Sequence, residues 1–127
     1  MASELRVNTL KDAAGNNSIA TSFVAEGSAK SWANFTGTGT IALTDSFNVA
    51  SLTDGGTGKY DTNFTNSMNN GTFAIHVNSD ANATNDAFNR TAGGSNNTTA
   101  KGHARHYESN SLADTALIIT TVHGDLA

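Results

Sequence analysis

Two alternating runs separated by a glycine-rich turn constrain this chain more than any other feature. Residues 45–64 read DSFNVASLTDGGTGKYDTNF, and the segment DGGTG divides a run that holds Phe47 and Val49 from a second alternating run. Glycine adopts the positive φ angles of tight turns, and apolar and polar residues alternate in a half-buried strand. The pattern predicts an antiparallel hairpin in which Phe47 and Val49 share one face. The residues expected to face inward on the return strand are Tyr60, Thr62 and Phe64.

The same alternation predicts strands in the second half of the chain. Residues 72–78 place apolar side chains at every second position, and residues 100–109 continue the alternation with mostly polar side chains. Residues 117–119, Leu-Ile-Ile, are apolar on both faces. Such a run is typical of a central strand or of a strand at a subunit interface.

Composition also favours a fold of many short strands. Only 37% of residues are apolar and 14% are charged, and much of the remainder is Asn, Thr, Ser and Gly. These residues supply turns, and Thr is well tolerated in strands. We therefore expect an all-β fold, an antiparallel β-sandwich or jelly-roll-like knob of about seven or eight strands. The aromatic residues expected in its core are Trp32, Phe35, Phe47, Tyr60, Phe64 and Phe73.

The chain divides into an N-terminal segment, residues 1–28, and a C-terminal region, residues 29–127. The N-terminal segment holds too few apolar residues for a core of its own. We expect an extended arm with one short strand around Leu5 and Val7 and a turn at residues 13–17. Its apolar residues are predicted to attach the protein to a larger particle. These residues are Leu5, Val7, Leu10, Ile19 and Phe23.

Residues 78–99 are predicted to form a long loop. Phe88 is the one large apolar anchor between residues 79 and 99, among Asn, Thr, Ser, Gly and Ala. Long loops on a β-scaffold commonly carry recognition. A receptor or other partner is therefore expected to contact Asn82, Asn85, Phe88 and Arg90.

Motifs for catalysis, cofactors or metals are weak. The sequence has no Gly-x-Ser-x-Gly turn and no cysteine, so we expect a non-enzymatic protein with no cofactor and no metal. Residues 78–89 alternate oxygen-bearing side chains as a calcium loop does, but Ala83 replaces the required glycine and Asn89 the required glutamate. On a strand, His103 and His106 point to opposite faces, which disfavours a shared metal ion.

Charge and hydropathy disfavour two classes of partner. The formal net charge is −4, whereas non-specific nucleic-acid binding needs an excess of Lys and Arg. No apolar run approaches the ~20 residues of a membrane-spanning helix, and no secretory signal is recognisable. The absence of cysteine fits assembly in a reducing compartment such as bacterial cytoplasm.

Several parts of the chain resemble a module of tailed-bacteriophage virion proteins, chiefly tail fibres. They are the start SELRVNTLKDAAGNNSIA, the segments AKSWANF and SFNVASLTDGGTGKY, and the final GDLA. The start is similar to the opening segment of many marine-phage structural proteins. Residues 78–115 carry none of the resemblance.

The resemblance implies a virion structural protein that assembles as a homotrimer in the cytoplasm of the host bacterium. The leading expectation is a short tail fibre or receptor-binding knob that contacts other virion proteins and a host cell-surface glycan or protein. The alternative is a capsid decoration or cement protein (a head fibre) that stabilises the shell. A carbohydrate-binding domain of a cellular protein is a third candidate. The trimer interface is expected at Leu117, Ile118 and Ile119.

Overall fold

Short antiparallel strands make up most of the structure. The computed structural model describes residue 3 and residues 5–79, 90–93, 96–108 and 110–127, with the backbone alone for residues 90–93. These residues contain one short helix, α1 (Thr21–Gly27), and eleven strands. The strands are β1 (Thr9–Lys11), β2 (Ser18–Ala20), β3 (Ser31–Thr36), β4 (Ala42–Phe47), β5 (Val49–Asp54), β6 (Lys59–Phe64), β7 (Ala74–Ser79), β8 (Arg90–Gly93), β9 (Lys101–Glu108), β10 (Ser111–Leu112) and β11 (Ile118–His123). The expected all-β class is confirmed.

The strands form one small sheet and two larger ones. β1 pairs with β2 alone, and a four-stranded sheet has the order β4-β3-β11-β7. The five-stranded sheet has the order β10-β9-β6-β5, and β8 also pairs with β9. All of these pairings are antiparallel. β11 lies between β3 and β7, so it is a central strand of its sheet, the first of the two placements predicted for residues 117–119.

Residues from both larger sheets share one apolar core. Phe35 and Ile118 of the four-stranded sheet belong to the same buried cluster as Tyr60 of the five-stranded sheet. The rings of Phe35 and Tyr60 meet edge to face, with 5.6 Å between their centroids. A second cluster forms around Phe64 and Met68. The inward set predicted for the return strand is buried and is therefore confirmed: Tyr60, Thr62 and Phe64.

The glycine-rich segment joins β5 to β6 as predicted. The Gly55 amide donates to the Lys59 carbonyl, and the Lys59 amide donates to the Gly56 carbonyl. Gly56 and Gly58 have φ angles of 92° and 63°, which L side chains rarely adopt. A Cβ at Gly58 would lie 2.6 Å from the His106 carbonyl oxygen, so this turn also needs glycine for space.

The prediction that Phe47 and Val49 share a face is wrong. Phe47 ends β4 in the four-stranded sheet, whereas Val49 begins β5 in the five-stranded sheet. Asn48 between them has a φ of 56°, and its side-chain Nδ2 donates to the backbone carbonyls of Lys30 and Asn66. These bonds hold the chain where it crosses from one sheet to the other, a change of direction that alternation cannot reveal.

Three further predictions need correction. The N-terminal segment is not extended throughout, because residues 21–27 form α1, and its first strand begins at Thr9 rather than at Leu5. Residues 78–99 are not entirely loop, because β7 continues to Ser79 and residues 90–93 form β8. The part of residues 29–127 that the structure describes contains nine strands, β3 to β11, rather than seven or eight. β8 is held by its pairing with β9, and α1 is held by hydrogen bonds within its own turns.

Candidate functional surfaces

The apolar side chains predicted for attachment are all exposed. Their exposed fractions are 81% for Leu5, 40% for Val7, 42% for Leu10, 45% for Ile19 and 71% for Phe23. Leu10 and Ile19 are cross-strand partners in the β1–β2 hairpin, and Phe23 lies on α1. A two-stranded sheet lacks the layers needed to bury such residues. The segment therefore presents apolar surface that its own fold leaves uncovered.

Two side chains hold the base of the N-terminal segment against the C-terminal region. The Lys30 ammonium donates to the Ala25 carbonyl and to the Ser28 carbonyl, the latter at 2.8 Å. His123 Nδ1 lies 3.2 Å from the Gly27 carbonyl oxygen. A cleft of about 250 Å³ opens beside this contact, with Glu26 among its lining residues. The end of α1 is therefore fixed near the start of β3 and the end of β11.

Most of the predicted recognition loop lies outside the described residues. This applies to Asn82, Asn85 and Phe88. Arg90 is the first residue of β8, where its backbone is in register with Tyr107 of β9. The one predicted recognition residue that the structure places therefore belongs to the five-stranded sheet and not to a loop.

The three residues predicted at a trimer interface occupy different environments. Ile118 is 0% exposed and belongs to the core shared by the two larger sheets, so its burial requires no second subunit. Leu117 is half-buried, and Ile119 is 37% exposed on the opposite face of β11. Only Leu117 and Ile119 offer surface to another chain.

Two of the residues predicted in the core are instead exposed: Trp32, with 36% of its surface accessible, and Phe47, with 54%. They are direct cross-strand partners on β3 and β4. The sequence does contain the signal, because Trp32 and Phe35 are an odd number of positions apart on one strand and must face opposite ways. Since Phe35 fills the core, Trp32 faces outward with Phe47 and Ile119. This outer face of the four-stranded sheet also carries His76 and His123.

A polar network occupies the outer face of the five-stranded sheet. Asp61 of β6 is in register with His103 of β9, and both are buried. The Asp61 carboxylate lies 2.5 Å from the Lys101 ammonium and 2.5 Å from His103 Nδ1. Arg105 Nε donates to His103 Nε2 at 3.1 Å. Since His103 Nε2 accepts this bond, Nδ1 carries the hydrogen and donates it to Asp61.

The electrostatics of this network favour an ionised Asp61. Burial raises the pKa of the Asp61 carboxyl, but hydrogen bonds from Lys101 and His103, with the Lys101 charge, outweigh burial and leave that pKa below its ordinary value. The carboxylate charge is thereby matched by Lys101. Arg105 is held by His103 rather than by that carboxylate.

His106 lies on the other face of β9, as predicted for a strand. It is 0% exposed, and its Nδ1 lies 2.8 Å from the Ser79 hydroxyl of β7. Its Nε2 has no hydrogen-bond partner among the described residues and lies 3.7 Å from a Glu108 carboxylate oxygen. His103 and His106 therefore have separate partners and do not form one site.

The described residues contain no group of three or more His, Asp or Glu side chains placed to hold a metal ion. Residues 80–89, which include most of the calcium-like pattern, are outside the described part of the chain. Within that part, no helix has both the length and the apolar character needed to cross a membrane.

Comparison with known proteins found no match for this chain among protein-family models, curated proteins or solved structures.

Proposed function

We propose that this protein is a non-enzymatic structural protein of a tailed-phage virion, a short fibre or receptor-binding knob displayed on the particle. The observation that supports attachment is the exposure of every apolar side chain predicted for it, from Leu5 to Phe23. The resemblance of several sequence segments to phage virion proteins supplies the kind of particle. The N-terminal segment then acts as the attachment arm, and the C-terminal region forms a β-sandwich knob.

The exposed apolar surface favours a docked state because burying it on a partner is favourable. Removal of apolar surface from water contributes about 25 cal/mol per Å². Soluble monomers rarely leave large contiguous apolar patches uncovered, and such patches commonly mark interaction sites. Leu10 and Ile19, which are cross-strand partners, and Phe23 on the adjoining helix leave apolar surface uncovered within a short stretch of chain.

Removal of residues 1–28 tests this proposal. We expect the truncated chain to fail to incorporate into particles while its thermal unfolding stays close to that of the full chain, because both core clusters lie in residues 29–127. Phe23→Ser in the full chain is a milder variant, and Leu126→Ser, at an apolar side chain that is 44% exposed in the C-terminal region, is its matched control. Normal incorporation of the truncated chain would contradict the attachment role.

A homotrimer is the proposed assembly, with Ile119 and the neighbouring Trp32 and Phe47 as the exposed apolar residues available for contact. Oligomers that fold with assembly become more stable as concentration rises. Light scattering of the purified chain should give three times the monomer mass, and its unfolding midpoint should rise with concentration. A monomer at micromolar concentration would exclude the trimer.

The second candidate is a capsid decoration protein, and one observation favours it. α1 ends at Gly27 and β3 begins at Ser31, so no shaft separates the proposed arm from the knob. A chain built in this way would lie close to the surface that it binds. Binding to emptied capsids with a higher rupture temperature, together with no binding to host cells, would select this candidate over the fibre.

A further inference from the structure

We infer that the outer face of the five-stranded sheet binds an acidic polysaccharide, with Arg105 as the central anion-binding residue. The inference deepens the proposed function by naming a ligand class for the displayed region, and to that extent it rests on the proposed function. It starts from an uneven distribution of charge. Of the chain's seven Lys and Arg residues, four belong to the adjoining strands β6, β8 and β9: Lys59, Arg90, Lys101 and Arg105.

These basic residues are concentrated on three paired strands although the chain as a whole is acidic, with a net charge of −4. Lys59 of β6 and Arg105 of β9 are direct cross-strand partners. Like charges directly opposite each other in an antiparallel pair are destabilising. An anion bound between or above the two cations reduces the repulsion between them. The one acidic residue on this face of β6 and β9, Asp61, is paired with Lys101 and cannot serve Arg105.

Buried groups orient the Arg105 side chain. Its Nε donates to His103, which in turn donates to Asp61, and His103 and Asp61 are 6% and 8% exposed. Among the described residues, the two terminal nitrogens of Arg105 have no hydrogen bond. A guanidinium fixed through Nε presents its remaining donors in a planar arrangement that suits carboxylate, sulfate or phosphate groups. His103 and Asp61 are thus positioning residues.

A polysaccharide fits this face better than a nucleic acid. Duplex DNA carries one negative charge per about 1.7 Å of helix axis, so a chain of net negative charge would repel much of it. Acidic groups are farther apart on a polysaccharide, and one or two of them would match the Lys59–Arg105 pair. Tyr107 follows on the same face of β9, two residues beyond Arg105, which places an aromatic ring beside the cations.

The test measures binding of the full-length chain to immobilised polygalacturonate, which carries carboxylates, and dextran sulfate, which carries sulfates. Uncharged dextran and a duplex DNA fragment are run in parallel. We expect binding to at least one acidic polysaccharide, weakening as salt increases, and none to dextran. Because a hydrogen bond to a charged group contributes about 1.5–3 kcal/mol, Arg105→Ser should weaken the affinity by about tenfold or more.

Two variants separate a specific site from general charge. Lys11→Ser removes the same charge from exposed strand β1 and should leave the affinity within about twofold, as expected for a charge far from the site. Lys59→Ser should weaken binding without lowering the melting temperature, because it removes one cation of the like-charge pair. If Arg105→Ser is unstable, the affinity of Lys59→Ser decides whether this face binds the polysaccharide.

Three results would overturn the inference. They are no binding to either acidic polysaccharide, equal effects of the Lys59, Arg105 and Lys11 variants, and tighter binding to DNA than to both polysaccharides. Particle incorporation is measured separately. A chain that binds polysaccharide but does not enter virions would contradict the proposed function and support the binding site. A chain that enters virions but binds neither acidic polysaccharide would contradict the binding site and support the proposed function.

Discussion

The N-terminal segment leaves the apolar side chains of its strands exposed, whereas strands of the C-terminal region bury apolar side chains in a core. In the first, Leu10 and Ile19 face each other across a two-stranded sheet and remain 42% and 45% exposed. In the C-terminal region, Phe35 lies on β3, which is also an antiparallel strand, and is 0% exposed. The difference is the presence of a second sheet, which covers Phe35 with Tyr60. Apolar strands thus become core only where another layer faces them, and otherwise they remain surface for a partner.

The largest expected difference between the two regions comes from removing one ring in each. Phe35→Ala should lower the free energy of unfolding by about 3–5 kcal/mol through lost burial and a cavity. Phe23→Ala, at a side chain that is 71% exposed, should change it by about 0.5 kcal/mol or less. Urea denaturation followed by the fluorescence of Trp32 measures both. Equal losses would show that the N-terminal segment belongs to the same folding unit.

Adding one methyl group tests the packing in each region. A Cβ at Gly37 would lie 2.5 Å from the Tyr60 hydroxyl oxygen, whereas a Cβ at Gly27 of α1 would meet nothing within 4 Å. Gly37→Ala should therefore destabilise by about 1–3 kcal/mol, as overpacked cores do. Gly27→Ala should be neutral or stabilise by up to about 1 kcal/mol. The melting temperatures of the two variants check this, and a similar fall in both would contradict the packing at Gly37.

Acid should affect the two regions differently. The pKa values of both Asp12 and Asp61 are lowered, but Asp12 accepts hydrogen bonds only within the β1–β2 turn, from Asn16 and Asn17. A lowered folded-state pKa contributes stability above the unfolded value, and that contribution is lost as pH falls through the folded value. The melting temperature of the chain should therefore fall as the pH drops below about 4.

Two amide variants identify the responsible carboxyl. Asp61→Asn should be less stable at neutral pH and should show a shallower acid decline. Asp12→Asn should keep the slope of the parent chain, since the turn it supports lies outside both core clusters. A shallower slope for Asp12→Asn would assign the acid sensitivity to the N-terminal segment instead.

The smallest effect is expected on the outer face of the four-stranded sheet. Phe47→Ser replaces a ring that is 54% exposed, so the free energy of unfolding of the isolated subunit should change by about 1 kcal/mol or less. Ile119→Ser, on the same face, should behave alike. A loss as large as that of Phe35→Ala, measured in the same urea series, would mean that a further layer already covers this face.

Local patterns predicted most of the strands. The alternation of β6 and β7 follows from side-chain periodicity, and the turn between β5 and β6 follows from glycine's freedom at positive φ. The exposed set on the N-terminal segment was predicted for a physical reason as well, since too few apolar residues cannot cover one another. The exposure of Trp32 was also readable, because residues an odd number of positions apart face opposite sides of a strand.

Other features required the tertiary structure. The order of residues alone predicts the all-β class, the inward faces of β6 and β7 and the lack of a core in residues 1–28. Tertiary contacts set three other features: Asn48 turns the chain from one sheet to the other, α1 docks through Lys30 and His123, and Lys59 meets Arg105. The reason is range: periodicity records which way each residue faces, whereas strand order and cross-strand register depend on contacts between residues far apart in the chain.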